Sequence, residues 1–166
     1  MKNVLYLVLL LAILFFGYKY LLKNPKPISN QPIPINNENK PLQPFQLFFN
    51  NTIKNPNLID CSLVFSVKRQ TNQEVTYEFL VNALINGLTQ KEEKEGYVSA
   101  IPKNLELNFV KSEEGKVIVD FKPFQIAGSC ATGMFTAQVK KTLLAIDQTK
   151  EIVITIQGKS EDILQP

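Results

Sequence analysis

Residues 105–121, LELNFVKSEEGKVIVDF, contain two strand-like runs on either side of a short polar turn. The runs are Leu105–Val110 and Val117–Phe121, and the turn between them, Ser112–Lys116, includes a glycine. Apolar, β-branched and aromatic residues flanking a short glycine-containing turn are typical of a β-hairpin. The sequence therefore predicts two antiparallel strands here, with one buried face formed by Val117, Val119 and Phe121.

Three further segments alternate apolar with other residues, as a half-buried strand requires. They are Phe45–Phe49, Cys61–Val67 (CSLVFSV) and Glu151–Gln157 (EIVITIQ). Successive side chains of a strand point to opposite faces of the sheet, so every second residue is expected to face the core. These inward residues are Phe45, Leu47 and Phe49; Leu63, Phe65 and Val67; and Ile152, Ile154 and Ile156.

Two segments have the periodicity of amphipathic helices instead. In Thr76–Leu88 apolar residues recur every three or four positions, and Gly87 lies where a helix would end. Gly133–Ile146 has a similar apolar stripe. The stripes consist of Tyr77, Leu80, Val81, Leu84 and Leu88, and of Phe135, Val139, Leu143 and Ile146. The charged stretch KEEKEG, at residues 91–96, is interpreted as a solvated loop.

The predicted order of elements is β-β-α-β-β-α-β. Strands with one polar face, combined with two amphipathic helices, indicate an α+β fold. We expect a two-layer sandwich, in which an antiparallel or mixed sheet carries two helices on one face. The chain has 166 residues, enough for one ordinary domain, which is expected to span residues 45–166.

The first 23 residues have the character of a transmembrane anchor. Val4–Leu22 is almost wholly apolar and is close to the roughly 20 residues that cross a bilayer as a helix. Lys19 lies near its end, where the long side chain can reach the headgroups. A cleaved signal peptide is the alternative, but no small-residue cleavage site follows the apolar run. The sequence therefore predicts a single-pass helix at residues 1–23.

The composition of residues 24–44 predicts a linker. They hold six of the ten prolines, interleaved with asparagine and glutamine. Proline fixes φ and removes a backbone donor, so such a composition favours an extended spacer over a packed element. This segment is expected to separate the predicted domain from the membrane.

The residue types that the chain lacks exclude several kinds of chemistry. It has no histidine, which excludes Ser-His-Asp and Cys-His nucleophile activation and histidine-containing zinc sites.

The charges of the predicted domain nearly cancel. From Phe45 onward the sequence has 13 Lys and Arg residues and 14 Asp and Glu residues. The predicted domain is thus nearly neutral, and nucleic acid is not an expected partner. No catalytic residue, metal ligand or cofactor-binding residue is assigned, and no cofactor is expected.

Several segments, taken in order, resemble the GerMN domain of bacterial sporulation, spore-germination and other envelope proteins. They are FQLFFNN from residue 45, DCSLVFSVKR at Asp60–Arg69, ALINGLTQKEEKEG leading into SAIP at Ser99–Pro102, VIVDF at Val117–Phe121, GSC at Gly128–Cys130 and the closing IQGKSEDILQP. One departure is Leu88, where the family commonly has proline. The resemblance implies a compact α+β domain without an established catalytic role, held outside the cytoplasmic membrane.

Cys61 and Cys130 are the chain's two cysteines. Two cysteines in an external domain usually form a disulfide, and the resemblance places cysteine in both DC and GSC, so we expect Cys61 and Cys130 to be bonded. Two buried free thiols are the alternative. A reactive Cys130 thiol at a helix start is a sharper hypothesis, but the chain has no histidine to act as its base.

Three functions remain in competition. The first is a non-catalytic binding or assembly module of the bacterial cell envelope, whose partners are other envelope proteins. The second is a peptidoglycan or glycan-binding module, for which Tyr77 and Tyr97 could stack on sugars. A histidine-free hydrolase or thiol enzyme ranks last. Glu92, Glu93 and Glu95 could hold a divalent cation, but a lysine-interspersed charge run is more often solvated.

Overall fold

The computed structural model describes residues 41–159 of the chain. In chain order its elements are strand β1 (Gln43–Asn51), a 3-10 turn (Pro56–Leu58), strand β2 (Phe65–Thr71), helix α1 (Tyr77–Ile85), helix α2 (Gln90–Lys94), strands β3 (Tyr97–Val98), β4 (Leu107–Glu113) and β5 (Lys116–Phe121), helix α3 (Ser129–Leu144) and strand β6 (Glu151–Ile156). The α+β class predicted from the sequence is confirmed.

The strands form two three-stranded sheets, in the orders β2-β1-β3 and β4-β5-β6. The first sheet is antiparallel, whereas β6 runs parallel to β5 in the second. The prediction of one sheet with two helices was therefore wrong in its arrangement. Alternation shows which face of a strand is buried, but it does not identify the strand's neighbour.

The predicted hairpin at residues 105–121 is confirmed as β4 and β5, with Glu113 opposite Lys116. Gly115 in the intervening turn has a φ of 77°, a conformation that glycine adopts without steric cost. The expected inward residues Val117, Val119 and Phe121 are fully buried. They belong to the same core as Leu47 and Phe49 of β1, Leu80 and Leu84 of α1, and Phe135, Val139 and Leu143 of α3.

Helix α3 covers part of an edge of β1 that β3 leaves bare. Strand β3 is only two residues long and pairs with Asn50 and Asn51 alone. The backbone N–H of Phe48 instead donates to Oγ1 of Thr142 in α3, at 2.9 Å. A helix side chain thus satisfies a strand donor that would otherwise lack a partner.

The largest differences between predicted and observed bounds concern two elements. The second strand, predicted at Cys61–Val67, runs from Phe65 to Thr71, because Cys61 is fixed in the preceding loop by its disulfide. The second helix, predicted at Gly133–Ile146, already begins at Ser129, and Ile146 lies beyond its end and is exposed. The first helix was predicted well, with Thr76 as its N-cap and the Thr76 hydroxyl accepting from the Phe79 N–H.

The segment interpreted as a solvated loop, KEEKEG, largely forms helix α2. Thr89 and Glu92 form a reciprocal capping box at its start. The Glu92 carboxylate also accepts two hydrogen bonds from Arg69 of β2, at 2.9 and 2.6 Å. Glu92 is therefore buried rather than solvated, because a side chain distant in sequence neutralises it.

The predicted anchor at residues 1–23 lies outside the described residues, and so does most of the predicted linker at residues 24–44. The last two residues assigned to that linker, Gln43 and Pro44, belong to β1. Within residues 41–159, no helix has the length and apolarity needed to span a bilayer.

Candidate binding surface

The loop that joins β1 to β2, residues 52–64, presents apolar side chains to solvent. Ile53 is 68% exposed, Ile59 83% and Leu63 40%. Exposed aliphatic side chains are common one at a time, but three on one loop mark a candidate contact surface. We call residues 52–64 the β1–β2 loop.

The β1–β2 loop is held at its far end by a covalent bond and by a buried amide. Cys61 and Cys130 form a disulfide with their Cα atoms 5.3 Å apart, which ties the loop to the first turn of α3. The Nδ2 of Asn50 donates to the carbonyl oxygens of Cys61 and Leu63, at 3.0 and 2.9 Å. The backbone on both sides of Ser62 is therefore anchored to the end of β1.

Asn50 is itself held by Gln138, and both side chains are fully buried. The Nε2 of Gln138 donates to Oδ1 of Asn50 at 2.8 Å and to the carbonyl oxygen of Val98 at 3.1 Å. The Oε1 of Gln138 accepts from the Ala100 N–H at 3.1 Å. These hydrogen bonds join β1, β3 and α3, and a fully satisfied buried network of this kind specifies one arrangement of its members.

The near end of the loop is held by the side chain of Asn51, which is also fully buried. Its Oδ1 accepts from the backbone N–H groups of Ile53 and Lys54, both at 2.9 Å. Its Nδ2 donates to the carbonyl oxygen of Glu95 at 3.0 Å. Ile53 lies directly over Gly96, where an added Cβ would come within 2.7 Å of the isoleucine Cγ1.

The middle of the loop contains two consecutive residues in the left-handed region, Asn57 at φ 57° and Leu58 at φ 49°. Asparagine tolerates this conformation, but for leucine it costs about 1–2 kcal/mol of conformational free energy. The Nδ2 of Asn55 donates to the carbonyl oxygen of Asp60 at 2.7 Å, which closes the turn around the strained pair. Strain of this kind persists only where surrounding contacts determine the backbone.

The loop carries one charge of each sign. The Ser62 hydroxyl donates to Asp60 at 2.6 Å and the Ser62 N–H at 2.9 Å, and these two hydrogen bonds lower the pKa of Asp60 from its usual value. The ammonium of Lys54 lies 5.1 Å from the ring centroid of Phe65 and 5.3 Å from that of Tyr97, within cation–π range. The exposed isoleucines and leucine thus lie among groups that are charged at neutral pH.

The residues considered for other functions have different surroundings. Cys130 is bonded to Cys61, so it presents no thiol. Tyr97 is buried, with its hydroxyl donating to the Ser66 carbonyl at 3.2 Å, and its ring is unavailable for stacking on a sugar. Burial, aided by the nearby charge of Asp147, raises the pKa of the half-buried Tyr77. Among residues 41–159 no group of three His, Cys, Asp or Glu side chains is placed to hold a metal ion.

Sequence reasoning did not identify Asn50, Asn51 and Gln138 as important. Asn50 and Asn51 follow the predicted first strand, and Gln138 falls within an apolar helix stripe. The only signal in the sequence is that these polar residues lie within or directly after segments predicted to pack in the core. Their partners, which lie as many as 88 positions away, come from the tertiary structure.

Comparisons with known proteins agree with this architecture. A family model described as "Germane: Sporulation and spore germination" matches residues 46–162. The fold is similar to the tandem GerMN domains of the sporulation protein GerM from Bacillus subtilis, at a TM-score of 0.52 and 16% sequence identity. That match covers 75% of this chain and 42% of the solved chain, so this chain spans less than half the length of that relative.

A second solved structure, of a Clostridium perfringens protein described as a lipoprotein, matches at a TM-score of 0.42 and 15% identity. It covers 71% of this chain and 76% of the other. A comparison with curated proteins finds no match. Because the family model matches well over half of its residues, the chain belongs to the Germane family of sporulation and spore germination proteins and carries a GerMN-like domain.

Proposed function

We propose that this chain is a non-catalytic protein-binding module that helps to assemble complexes in the bacterial cell envelope. In this proposal residues 1–23 hold it to the membrane as a single-pass helix, and residues 45–166 lie outside the cytoplasm. The observation that carries the proposal is the exposure of Ile53, Ile59 and Leu63 on a loop whose backbone is locked at both ends.

A locked apolar loop suits protein recognition for an energetic reason. Burying an exposed isoleucine or leucine side chain contributes about 1.5–3 kcal/mol. A flexible loop would lose part of that gain because it must be ordered on binding. Here the disulfide and the amides of Asn50 and Asn51 have already ordered the backbone, so more of the gain is available for affinity.

Two further features support the proposal. A disulfide persists in oxidising compartments, which fits a domain held outside the cytoplasm. The family takes its description from sporulation and germination rather than from a reaction. Both are consistent with a role in which the chain contacts neighbouring proteins.

The test is affinity capture with the full chain, extracted in mild detergent from its own membrane. Ile59→Asp places a charge at the most exposed apolar position of the β1–β2 loop and should reduce capture of specific envelope proteins at least about tenfold. Leu42→Asp is the matched control, because Leu42 is 62% exposed and lies outside this loop. Both variants should unfold at the same urea concentration as the parent.

Unchanged capture by Ile59→Asp would contradict the proposal. Retention on purified peptidoglycan, with no protein captured, would favour the glycan-binding alternative. A turnover activity that disappears in Ser129→Ala, with folding intact, would establish an enzyme instead.

A further inference from the structure

A second candidate site lies between strand β2 and helix α1. There an open groove of about 570 Å³ is lined on one side by Arg69 and Thr71 of β2. Its other side is formed by α1 and the segment before it, including Glu74, Glu78, Phe79 and Asn82. We call this the β2–α1 groove.

The groove runs beside a free sheet edge. Strand β2 is the outermost strand of its sheet and pairs with β1 alone among the described residues. Arg69 and Thr71 line the groove and no β1 residue does, so the groove lies beside the outer half of β2. An edge strand offers backbone N–H and C=O groups to any extended chain that lies beside it, and on β2 the Ser66 carbonyl already accepts from the Tyr97 hydroxyl.

One end of the groove is rigid. The Nη2 of Arg69 donates to the carbonyl oxygen of Gly87 at 2.8 Å and to Oε2 of Glu92 at 2.6 Å, while its Nε donates to Oε1 of Glu92 at 2.9 Å. This bidentate pair connects β2 to the residues that follow α1. It also neutralises the positive charge of Arg69, the basic residue in the groove lining.

The remaining charge in the groove is negative. Glu74 and Glu78 both line it and both are exposed. Within residues 41–159 neither carboxylate forms an ion pair. Two carboxylates without cations beside a neutralised arginine make the groove complementary to a positively charged ligand.

We propose that the β2–α1 groove binds an extended peptide segment bearing lysine or arginine, which adds to β2 as a fourth strand of its sheet. The β2 backbone supplies hydrogen bonds to the peptide main chain, and Glu74 and Glu78 select its cationic side chains. This site is distinct from the β1–β2 loop and goes beyond the proposed function, since it assigns a class of ligand to another surface.

A peptide fits the groove better than a glycan does. Sugar rings usually stack on an exposed aromatic face, and Phe79 is the aromatic side chain among the lining residues. Phe79 is half-buried and packs edge-on against Phe45, with ring centroids 5.0 Å apart and an interplanar angle of 82°. A free strand edge, by contrast, matches the donor and acceptor spacing of an extended polypeptide.

The first experiment maps binding on the full chain in detergent by amide chemical shifts. The probe is a ten-residue peptide in which lysine alternates with threonine. We expect the largest shifts at Phe65–Thr71 and on α1, and a lower affinity at higher salt. Glu74→Gln and Glu78→Gln should each weaken binding about two- to fivefold. Glu114→Gln, which removes an exposed charge from the β4–β5 turn, should leave it unchanged.

The second experiment tests strand addition itself. Two versions of the probe are N-methylated at alternate residues, one at odd and one at even positions. A peptide strand directs only every second N–H toward its neighbour, so one version should bind at least about tenfold more weakly and the other nearly as well as the parent.

Equal binding of both N-methylated versions would overturn strand addition. Shifts confined to the β1–β2 loop, or no binding, would overturn the groove as a peptide site. An oligosaccharide of N-acetylglucosamine that shifts the same groove signals, when the peptide does not, would assign the groove to a glycan instead. None of these outcomes depends on the Ile59→Asp result, so the two proposals fail separately.

Discussion

Gln138 in the middle of α3 donates a hydrogen bond of 2.8 Å from its Nε2 to Oδ1 of Asn50 at the end of β1. Both side chains are fully buried, and the Nδ2 of Asn50 donates to the loop carbonyls of Cys61 and Leu63. A buried glutamine in the helix thus fixes the orientation of the asparagine that anchors the β1–β2 loop.

Replacing Gln138 by leucine tests this network. Gln138→Leu keeps a similar volume but leaves Asn50 Oδ1, the Val98 carbonyl and the Ala100 N–H without their partner. Each unsatisfied buried group costs about 1–3 kcal/mol, so we expect a loss of roughly 3 kcal/mol or more in the free energy of unfolding. Urea unfolding of the parent and of Gln138→Leu measures this difference in free energy. The same change at exposed Gln148 should alter stability by less than about 0.5 kcal/mol.

Removing the disulfide should destabilise the fold and release the loop. Cys61 and Cys130 are separated by 69 positions, for which the chain-entropy model gives about 4 kcal/mol of stabilisation. In Cys61→Ala/Cys130→Ala we expect that loss in urea unfolding and faster amide hydrogen exchange at residues 52–64 than in β5. Two freely alkylated cysteines in native protein, found by non-reducing peptide mapping, would contradict the predicted bond.

Asp120 should make stability depend on pH in the acid range. It is fully buried, which by itself raises its pKa, but hydrogen bonds from Thr155, Asn108 and Gly158 outweigh burial and hold the pKa below its usual value. The pKa of Asp120 is lower in the folded protein than in the unfolded chain, where it is about 3.9. The stabilisation that the Asp120 carboxylate contributes is therefore present above that pH. It is lost as the pH falls through the folded pKa.

Asp120→Asn should therefore flatten the decline in unfolding free energy below about pH 4. Some slope should remain, because hydrogen bonds and ion pairs also lower the pKa of Glu92 and Asp147. At pH 7 the variant should be less stable by about 1–3 kcal/mol, since an amide nitrogen would face the Asn108 donor. Urea unfolding of the parent and of Asp120→Asn, at pH values from about 2 to 7, measures both effects.

Gly133 offers a stabilising substitution inside α3. An added Cβ there would lie 3.7 Å from Cβ of Cys61, an ordinary contact, and alanine favours the helix by about 0.5–1 kcal/mol. Gly133→Ala should raise the melting temperature by a few degrees. Gly128→Ala is the paired control, because Gly128 precedes the same helix at φ 92° and ψ 143°, where a side chain is strained. A lower melting temperature for Gly133→Ala would contradict this account.

The local pattern of the sequence predicted most individual elements. The hairpin at residues 105–121 was found because apolar alternation and a glycine turn act within a few residues of one another. The buried faces of β1 and β5 and the first helix were found for the same reason. In the candidate surface, Cys61 and Cys130 were singled out, but Ile59 and the anchoring amides were not.

The sequence alone determined the α+β class, the hairpin and the core faces, because side-chain periodicity within a strand or helix is a local property. Tertiary structure decided the division into two sheets, the parallel pairing of β6 with β5, and the burial of Glu92 against Arg69. It also decided that Asn50 and Gln138 meet. Each of these depends on partners distant along the chain, and a buried polar or charged residue is stable only where such a partner reaches it.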